Sequence, residues 1–151
     1  MIFLSKSEKE TRKIASDFAF KVVRSKNPVL IALEGELGAG KTTFVKGFAK
    51  ALGVRVKVKS PTFALMKSYA VKLKNLKTSK LINLYHLDCY RVRDHKDLAT
   101  LDLKTILNSP ENIVLIEWPE RVSKVLPKKL IRVHIDHVNE NKRKITIYKQ
   151  T

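Results

Sequence analysis

A glycine-rich loop near the start of the chain carries the residues best suited to chemistry. Residues 35–42 read Gly-Glu-Leu-Gly-Ala-Gly-Lys-Thr and fit the pattern G-x-x-x-x-G-K-[ST]. The glycines allow the backbone to curl until successive N–H groups point at phosphate oxygens. The lysine offers a cation to the β- and γ-phosphates, and the threonine offers a hydroxyl to Mg²⁺. The sequence therefore predicts a nucleotide-binding loop formed by Gly35, Glu36, Leu37, Gly38, Ala39, Gly40, Lys41, Thr42 and Thr43.

The segments on either side of this loop are those that a phosphate-binding loop needs. Val29–Leu33 is a short apolar run with β-branched residues, which is typical of a strand buried on both faces. Apolar residues then recur at helical spacing from Phe44 to Leu52, and Gly53 predicts the helix end. Chance matches to the pattern are expected in roughly one per cent or less of chains this size. The position between a strand and a helix favours the functional interpretation.

Two acidic residues close apolar runs and are candidates to organise a metal ion beside the loop. Asp88 ends the run Leu84–Asp88, and Glu117 ends the run Ile113–Glu117. The alternative is that each acid forms an ion pair with a nearby lysine at the end of a strand. We favour a magnesium role for both, because an acid that closes an apolar strand is less common.

The sequence also bears on which nucleotide is bound. No glycine follows Gly53, so the D-x-x-G motif is absent, and no N-K-x-D motif occurs. These motifs read guanine in Ras-type proteins, so ATP is the expected nucleotide.

Other reactive side chains carry weaker signals. His86 with Cys89, and His134 with His137, are spaced closely enough to suggest metal ligands. A chain with one cysteine and scattered histidines favours structural or surface roles for them instead. We expect Cys89 to be a packed small residue rather than a nucleophile. Trp118 is either a stacking surface or part of the core rim, and the sequence leaves these two alternatives open.

The remaining elements are read from periodicity and from helix and turn signals. They are a helix from the capping box Ser5–Glu8 to about Arg24, an extended stretch Val54–Leu73, a hairpin of Leu65–Leu73 with Leu81–Asp88, a short helix Asp97–Leu107, and a final hairpin of Val133–Val138 with Ile145–Tyr148. Strands separated by helices predict an α/β fold. We expect one domain over residues 1–151, a P-loop NTPase-like three-layer sandwich with a mixed, partly parallel sheet.

Composition sets the broad class of protein. The 151 residues include 31 Lys or Arg and 14 Asp or Glu, a net charge of +17, and 44% are hydrophobic, which suffices for a core. No apolar run approaches the ~20 residues of a membrane span, the start does not resemble a signal peptide, and the single cysteine excludes an internal disulfide. We therefore expect a cytoplasmic protein without a membrane partner.

The net charge of +17 has two interpretations. It can form a basic face for nucleic acid, or it can be a lysine-rich solvated surface without a partner. If a basic face exists, the expected residues lie around the turn of the first hairpin: Lys72, Lys74, Lys77 and Lys80.

Four segments together resemble a known family. They are Glu34–Thr43 (EGELGAGKTT), Ser60–Phe63 (SPTF), His86–Arg91 (HLDCYR) and Ile116–Arg121 (IEWPER). Their order and rough spacing are similar to those of the TsaE (YjeE) family, and the similarity covers nearly the whole chain. The resemblance implies an ATPase of tRNA threonylcarbamoyladenosine biosynthesis. Such a protein hydrolyses ATP with Mg²⁺ when bound to TsaB and TsaD, and it supports modification of an adenosine next to the anticodon.

The resemblance also assigns roles to residues. Lys41, Thr42 and Thr43 would hold phosphates and Mg²⁺, and Thr62 resembles a switch threonine that senses the γ-phosphate. Asp88 and Glu117 would be the essential acids. The implied partners are TsaB, TsaD and tRNA, the last directly or through the complex, and no DNA is expected.

Two departures from the family pattern are mild. Glu36 stands where the family often has Asp, and the glycine usually found near Asp102 is missing, so the local helix geometry there is open. Two other function classes use the same loop. One is a small-molecule kinase, and the other is a non-catalytic, nucleotide-dependent module that binds RNA or protein.

Overall fold

A computed structural model describes residues 1–59, 65–73 and 80–150 of the chain. It contains seven strands, three α-helices and two 3₁₀ segments within these residues. The strands are β1 (Ile2–Ser5), β2 (Val29–Glu34), β3 (Met66–Leu73), β4 (Lys80–Asp88), β5 (Asn112–Glu117), β6 (Leu130–His137) and β7 (Arg143–Gln150). The helices are α1 (Glu8–Val22), α2 (Lys41–Ala51) and α3 (Leu103–Asn108), and the 3₁₀ segments are His95–Leu101 and Pro119–Val125.

The strands form one mixed sheet in the order β1-β7-β6-β2-β5-β4-β3. The four central strands β6, β2, β5 and β4 are parallel, and the outer strands pair antiparallel at both sides. In the register, Glu117 of β5 lies opposite Leu33 of β2 on one side and Asp88 of β4 on the other. The carboxyl ends of β2, β5 and β4 therefore meet at one edge, where the glycine-rich loop begins.

Each face of the sheet packs against its own layer of helices. On one face, α1 and α2 place the rings of Phe18, Phe44 and Phe48 on the sheet, with ring centroids 6.3 Å apart in both pairs that involve Phe18. On the other face, Leu98 and Val122 of the 3₁₀ segments pack on a second apolar cluster. Burial of each such side chain contributes about 1.5–3 kcal/mol to the free energy of folding. The expected three-layer α/β sandwich with a mixed sheet is confirmed.

Both hairpins are confirmed, since β3 pairs with β4 and β6 pairs with β7. The apolar runs expected to be strands buried on both faces are β2 and β5, and every residue of β5 is buried. In the extended stretch predicted over Val54–Leu73, residues 66–73 form β3, whereas residues 54–59 form no strand. Within the described residues, no helix is both long and apolar enough to cross a bilayer.

The capping box predicted at Ser5 is wrong by two residues. Ser5 ends β1 and its hydroxyl bonds the Thr11 hydroxyl at 2.8 Å, while Ser7 caps α1 by accepting from the backbone N–H of Glu10 at 3.1 Å. The sequence interpretation missed β1 because this short strand is held by β7, more than 130 residues away, where Ile2 lies opposite Thr146.

The helix predicted over Asp97–Leu107 is interrupted in the middle. Asp102 adopts φ +45° and separates the first 3₁₀ segment from α3. Its carboxylate accepts a hydrogen bond from the Thr105 hydroxyl at 3.1 Å. A short polar side chain tolerates this left-handed conformation at a modest cost, so the chain turns here without the glycine that the family pattern has.

Candidate nucleotide site

The glycine-rich loop joins β2 to α2 in a tightly curled backbone. Gly35 has φ +138°, and a Cβ at this position would lie 2.4 Å from the carbonyl oxygen of Ile135 in β6. Only glycine fits there without moving the neighbouring strand. Gly40, with φ +112°, is the residue before the first turn of α2, and its carbonyl accepts from the N–H of Phe44 at 2.9 Å. The helix N-terminus therefore opens directly onto the loop, as an anion site requires.

Lys41 is folded back onto the loop. Its side chain is 5% exposed, and Nζ donates to the carbonyl oxygens of Gly35 at 2.6 Å and Glu36 at 2.8 Å. The same Nζ lies 4.1 Å from the ring centroid of Trp118. Burial lowers the pKa of Lys41, and the nearby carboxylates, Glu117 foremost, oppose that shift. The loop thus holds a cation where a phosphate group would need one.

A chain of hydrogen bonds links α2 to the end of β5. The hydroxyl of Thr42 donates to Glu117, at 3.0 Å from Oε1 and 3.3 Å from Oε2. Nε2 of His86, on the neighbouring strand β4, lies 2.8 Å from Oε1 of Glu117. His86 is fully buried and Glu117 is 3% exposed. Among the described residues, Nδ1 of His86 is the buried side-chain polar atom left without a partner. His86 therefore fixes the carboxylate that faces Thr42.

Asp88 completes this group of polar residues. It lies at the end of β4 beside Glu117 in the register, and its Oδ1 accepts from the N–H of Tyr90 at 3.1 Å. The loop site is defined here as Lys41, Thr42, Asp88 and Glu117. Its hydroxyl and two carboxylates are the oxygen donors that Mg²⁺ prefers. Across the described residues, no three His, Cys, Asp or Glu side chains form a metal cage. The site fits Mg²⁺, which usually takes one or two carboxylates together with substrate phosphates.

Aromatic residues form one wall of the site. Trp118 has φ +58° and directly follows Glu117, which turns its ring over the Lys41 ammonium. The Tyr90 ring packs on it, with centroids 5.0 Å apart, and the Arg121 guanidinium lies 6.0 Å from the Tyr90 centroid. Trp118 also packs against the second core cluster. Trp118 is therefore part of the core rim, and its role as a stacking surface for a ligand stays a prediction.

The opposite wall comes from β6 and β7, where the sequence interpretation missed Arg143 and noted His137 only as a weak metal candidate. Nε of Arg143 donates to the carbonyl oxygen of Ala39 at 2.9 Å, and Nε2 of His137 lies 3.1 Å from that of Gly38. These side chains are about 100 residues from the loop in sequence, so no local pattern could indicate them. A cleft of about 840 Å³ opens between residues 134–137 of β6 and Trp118, a size typical of small-molecule sites.

Cys89, His134 and Thr62 are the other residues that the sequence singled out as candidates. Cys89 is buried, and burial raises the pKa of its thiol to about 12, so it is not a reactive thiolate. His134 contacts Glu34 and Asp136, at 3.4 and 3.0 Å. Thr62 and the rest of Ser60–Phe63 lie outside the described residues.

Fold and site together define a class: a three-layer α/β protein whose glycine-rich loop enters a helix at the carboxyl edge of parallel strands. The family model described as "Threonylcarbamoyl adenosine biosynthesis protein TsaE" matches residues 5–145. The chain belongs to the TsaE family.

Individual relatives agree with this assignment. The TsaE protein of Aquifex aeolicus is 40% identical over 146 residues, which cover 95% of this chain and 92% of the relative. That of Rickettsia prowazekii is 36% identical over 145 residues, with the same coverage of both chains. The crystal structure of Bacillus subtilis YdiB superimposes with a TM-score of 0.76 at 28% identity and covers 100% of this chain and 86% of that one.

Proposed function

We propose that this protein is a Mg²⁺-dependent ATPase that supports tRNA threonylcarbamoyladenosine modification next to the anticodon. The family assignment supports the role in this tRNA modification. The observation that carries the ATPase proposal is the convergence of a buried lysine, a threonine hydroxyl and two strand-end carboxylates at one glycine-rich loop. The proposed cellular location is the cytoplasm.

The residues of the loop would act mainly by position and charge. Backbone N–H groups of residues 35–43 and the start of α2 would bind the phosphates. The Lys41 ammonium, now satisfied by two loop carbonyls, would exchange them for phosphate oxygens, which are stronger acceptors.

The metal would be held at the other end of the same loop. Thr42 with Asp88 or Glu117 would hold Mg²⁺, which when bound neutralises phosphate charge. Glu117, fixed by His86, would orient the attacking water. Thr62 remains a proposed sensor of the γ-phosphate, on the family resemblance alone.

Hydrolysis by the isolated protein is expected to be slow. Arg91 and Arg121 are the arginines closest in sequence to Asp88 and Glu117, and Arg121 lies against Tyr90 rather than in the loop. Missing stabilisation of transition-state charge costs about 10³–10⁵ in rate in this class of enzyme. TsaB and TsaD are the proposed partners that supply or order the missing group, and tRNA is bound directly or through their complex.

The test is ATP turnover by the protein alone and with purified TsaB and TsaD, measured as ADP and inorganic phosphate released. The proposal expects strong stimulation by the pair and dependence on Mg²⁺. Phosphate transfer to a small acceptor in place of water would favour the kinase alternative. ATP binding without turnover under any of these conditions would favour the non-catalytic module.

A further inference from the structure

Acidic residues are absent from one continuous third of the sequence. Residues 37–87 contain 11 Lys or Arg and no Asp or Glu, whereas the rest of the chain holds 20 bases and all 14 acids. Most of the net charge of +17 therefore comes from this stretch. A compositional preference for lysine would raise the number of bases everywhere, but it would not remove acids from 51 consecutive positions.

The fold gathers part of this stretch on one surface. Lys46 and Lys50 project from the exposed side of α2, and Arg55 and Lys57 follow on the segment after Gly53. These four residues, called here the α2 basic face, line one groove of about 530 Å³. All four are exposed. The segment is anchored, because Val58 is buried in the core and the Val54 N–H donates to the Ala49 carbonyl oxygen at 3.1 Å.

Close packing of α1 adds a further cation at the rim of this groove. A Cβ at Gly47 would lie 2.4 Å from the backbone oxygen of Arg12, so the two helices touch at backbone distance. Arg12 lines the same groove, but its guanidinium already pairs with Glu8 at 2.9 Å.

Within the described part of the chain, the four members of the α2 basic face form no ion pair, in contrast to Arg12 and Lys13 on α1. Unpaired like charges on one groove repel one another and disfavour the compact state. A ligand with closely spaced negative charges would relieve this repulsion.

The composition of the face favours a phosphate backbone over a protein surface. Five of the nine residues that line the groove are cationic and none is aromatic, whereas protein interfaces are depleted in lysine and enriched in aromatic residues. Contacts from Lys and Arg to phosphates position nucleic acid without reading its sequence. The face lies along α2 from the nucleotide loop, with Lys50 about 14 Å from Lys41 at 1.5 Å per residue.

We infer that the α2 basic face binds the phosphate backbone of structured RNA, independently of sequence, at a site separate from the nucleotide loop. The inference rests on the proposed function in taking tRNA as the RNA. The lysines around the hairpin turn stay a separate prediction, although Nζ of one of them, Lys80, is held by the Ser25 carbonyl oxygen at 3.3 Å. Lys74 and Lys77 of that turn lie outside the described residues.

The test uses a variant that removes the face and a matched control. The variant carries Lys46→Gln, Lys50→Gln, Arg55→Gln and Lys57→Gln. The control removes four exposed cations near the other helical layer: Lys104→Gln, Lys124→Gln, Lys128→Gln and Lys129→Gln. Binding of an unmodified tRNA transcript is followed by fluorescence anisotropy across a salt series, and ATP binding by calorimetry.

The parent protein is expected to lose affinity linearly in log salt, with a slope of about 0.9 per phosphate contacted on a duplex. The face variant should bind tRNA at least about tenfold more weakly at low salt, with a slope smaller by about three. The control should stay within about twofold of the parent. ATP binding should be unchanged in both variants, because the face is separate from the nucleotide loop. If the parent protein itself fails to bind ATP, that result refutes the proposed function and not this inference.

Equal tRNA affinities and slopes in the face variant and the control would overturn the inference. Weaker binding to TsaB and TsaD with unchanged tRNA binding would also overturn it, because the face would then dock on an acidic protein surface. Circular dichroism establishes that each variant is folded. Should the fourfold variant fail to fold, the pairs Lys46→Gln with Lys50→Gln and Arg55→Gln with Lys57→Gln carry the same comparison.

Discussion

The loop site lies at the start of α2, whereas the α2 basic face follows the exposed side of its later turns and the segment beyond them, and their charges are arranged in opposite ways. At the loop site, Lys41 and Glu117 are buried, and Lys41 and Thr42 make short, directional hydrogen bonds. On the basic face, Lys46 and Lys50 are exposed and form no ion pair with any residue that the structure describes. Interactions between buried, paired charges depend on geometry, and their strength changes little with salt. Interactions of exposed charges act at longer range and are screened by salt. The first arrangement suits chemistry on a small ligand, and the second suits association with a large one.

The largest expected effect compares two lysines of the same helix. Lys41→Ala removes the ammonium that the loop carbonyls hold, so ATP should bind at least about 100-fold more weakly, equivalent to about 3 kcal/mol. Lys46→Ala, on the basic face, should leave ATP affinity within about twofold. Titration calorimetry with ATP and Mg²⁺ measures both variants. Equal losses of ATP affinity in the two variants, or no loss in either, would mean that the nucleotide does not bind at this loop.

The next effect separates hydrolysis from binding at the loop site. Glu117→Gln and Asp88→Asn remove carboxylate charge at nearly constant shape, and turnover with partners should fall by about 10² or more while ATP still binds. Glu140→Gln, on the exposed turn between β6 and β7, is the control and should behave as the parent. The check is the rate of phosphate release at saturating ATP. Full turnover in both loop-site variants would remove the acids from the catalytic role.

A smaller effect tests the buried histidine behind Glu117. His86→Leu removes the contact at 2.8 Å and should lower turnover by about tenfold or more, and it should raise the Mg²⁺ concentration needed for half-maximal rate. His86→Gln can still contact Glu117 and should recover part of that loss. His95→Gln, a histidine outside the site, serves as the control. A purely structural role would give two His86 variants with lowered stability and an unchanged Mg²⁺ requirement.

The smallest effect concerns stability at the basic face. Removing its four cations should relieve repulsion and raise Tm by a few degrees at low salt, since about 1 kcal/mol corresponds to 2–4 °C in a domain this size. The gain should shrink as salt screens the charges. Calorimetric scans of the parent, the face variant and the opposite-layer control at two salt concentrations make the comparison. A variant that is less stable than the parent would show that these side chains pack rather than repel.

Local patterns predicted the parts of the fold that local interactions decide. The loop, α2 with its end at Gly53, the buried strands and both hairpins follow from spacing and turn residues within short windows. Elements held by distant partners were missed or misplaced. The strand β1 depends on β7, and the helix predicted over Asp97–Leu107 is broken by the left-handed conformation of Asp102, which spacing alone does not reveal.

The same division applies to the site. The acids Asp88 and Glu117 were predicted from the ends of apolar runs. They lie side by side because the strands that carry them pair in parallel and in register. His86 was noted only as a weak metal candidate, because its contact with Glu117 depends on pairing across 31 residues. Arg143 and His137 reach the loop from the far end of the chain. The acid-free stretch of residues 37–87 is visible in the sequence, but only the fold shows which of its cations share a surface.

The account's central claim is that the chemistry takes place at the loop site and not on the α2 basic face. Its most direct test is ATP turnover at saturating TsaB and TsaD, without RNA, for three proteins side by side. They are the parent, Glu117→Gln and the fourfold variant of the α2 basic face. We expect partner-stimulated turnover in the parent, a loss of about 10² or more in Glu117→Gln, and a rate within about twofold of the parent in the face variant. Full turnover in Glu117→Gln, or its loss in the face variant alone, would contradict the assignment of chemistry to the loop site.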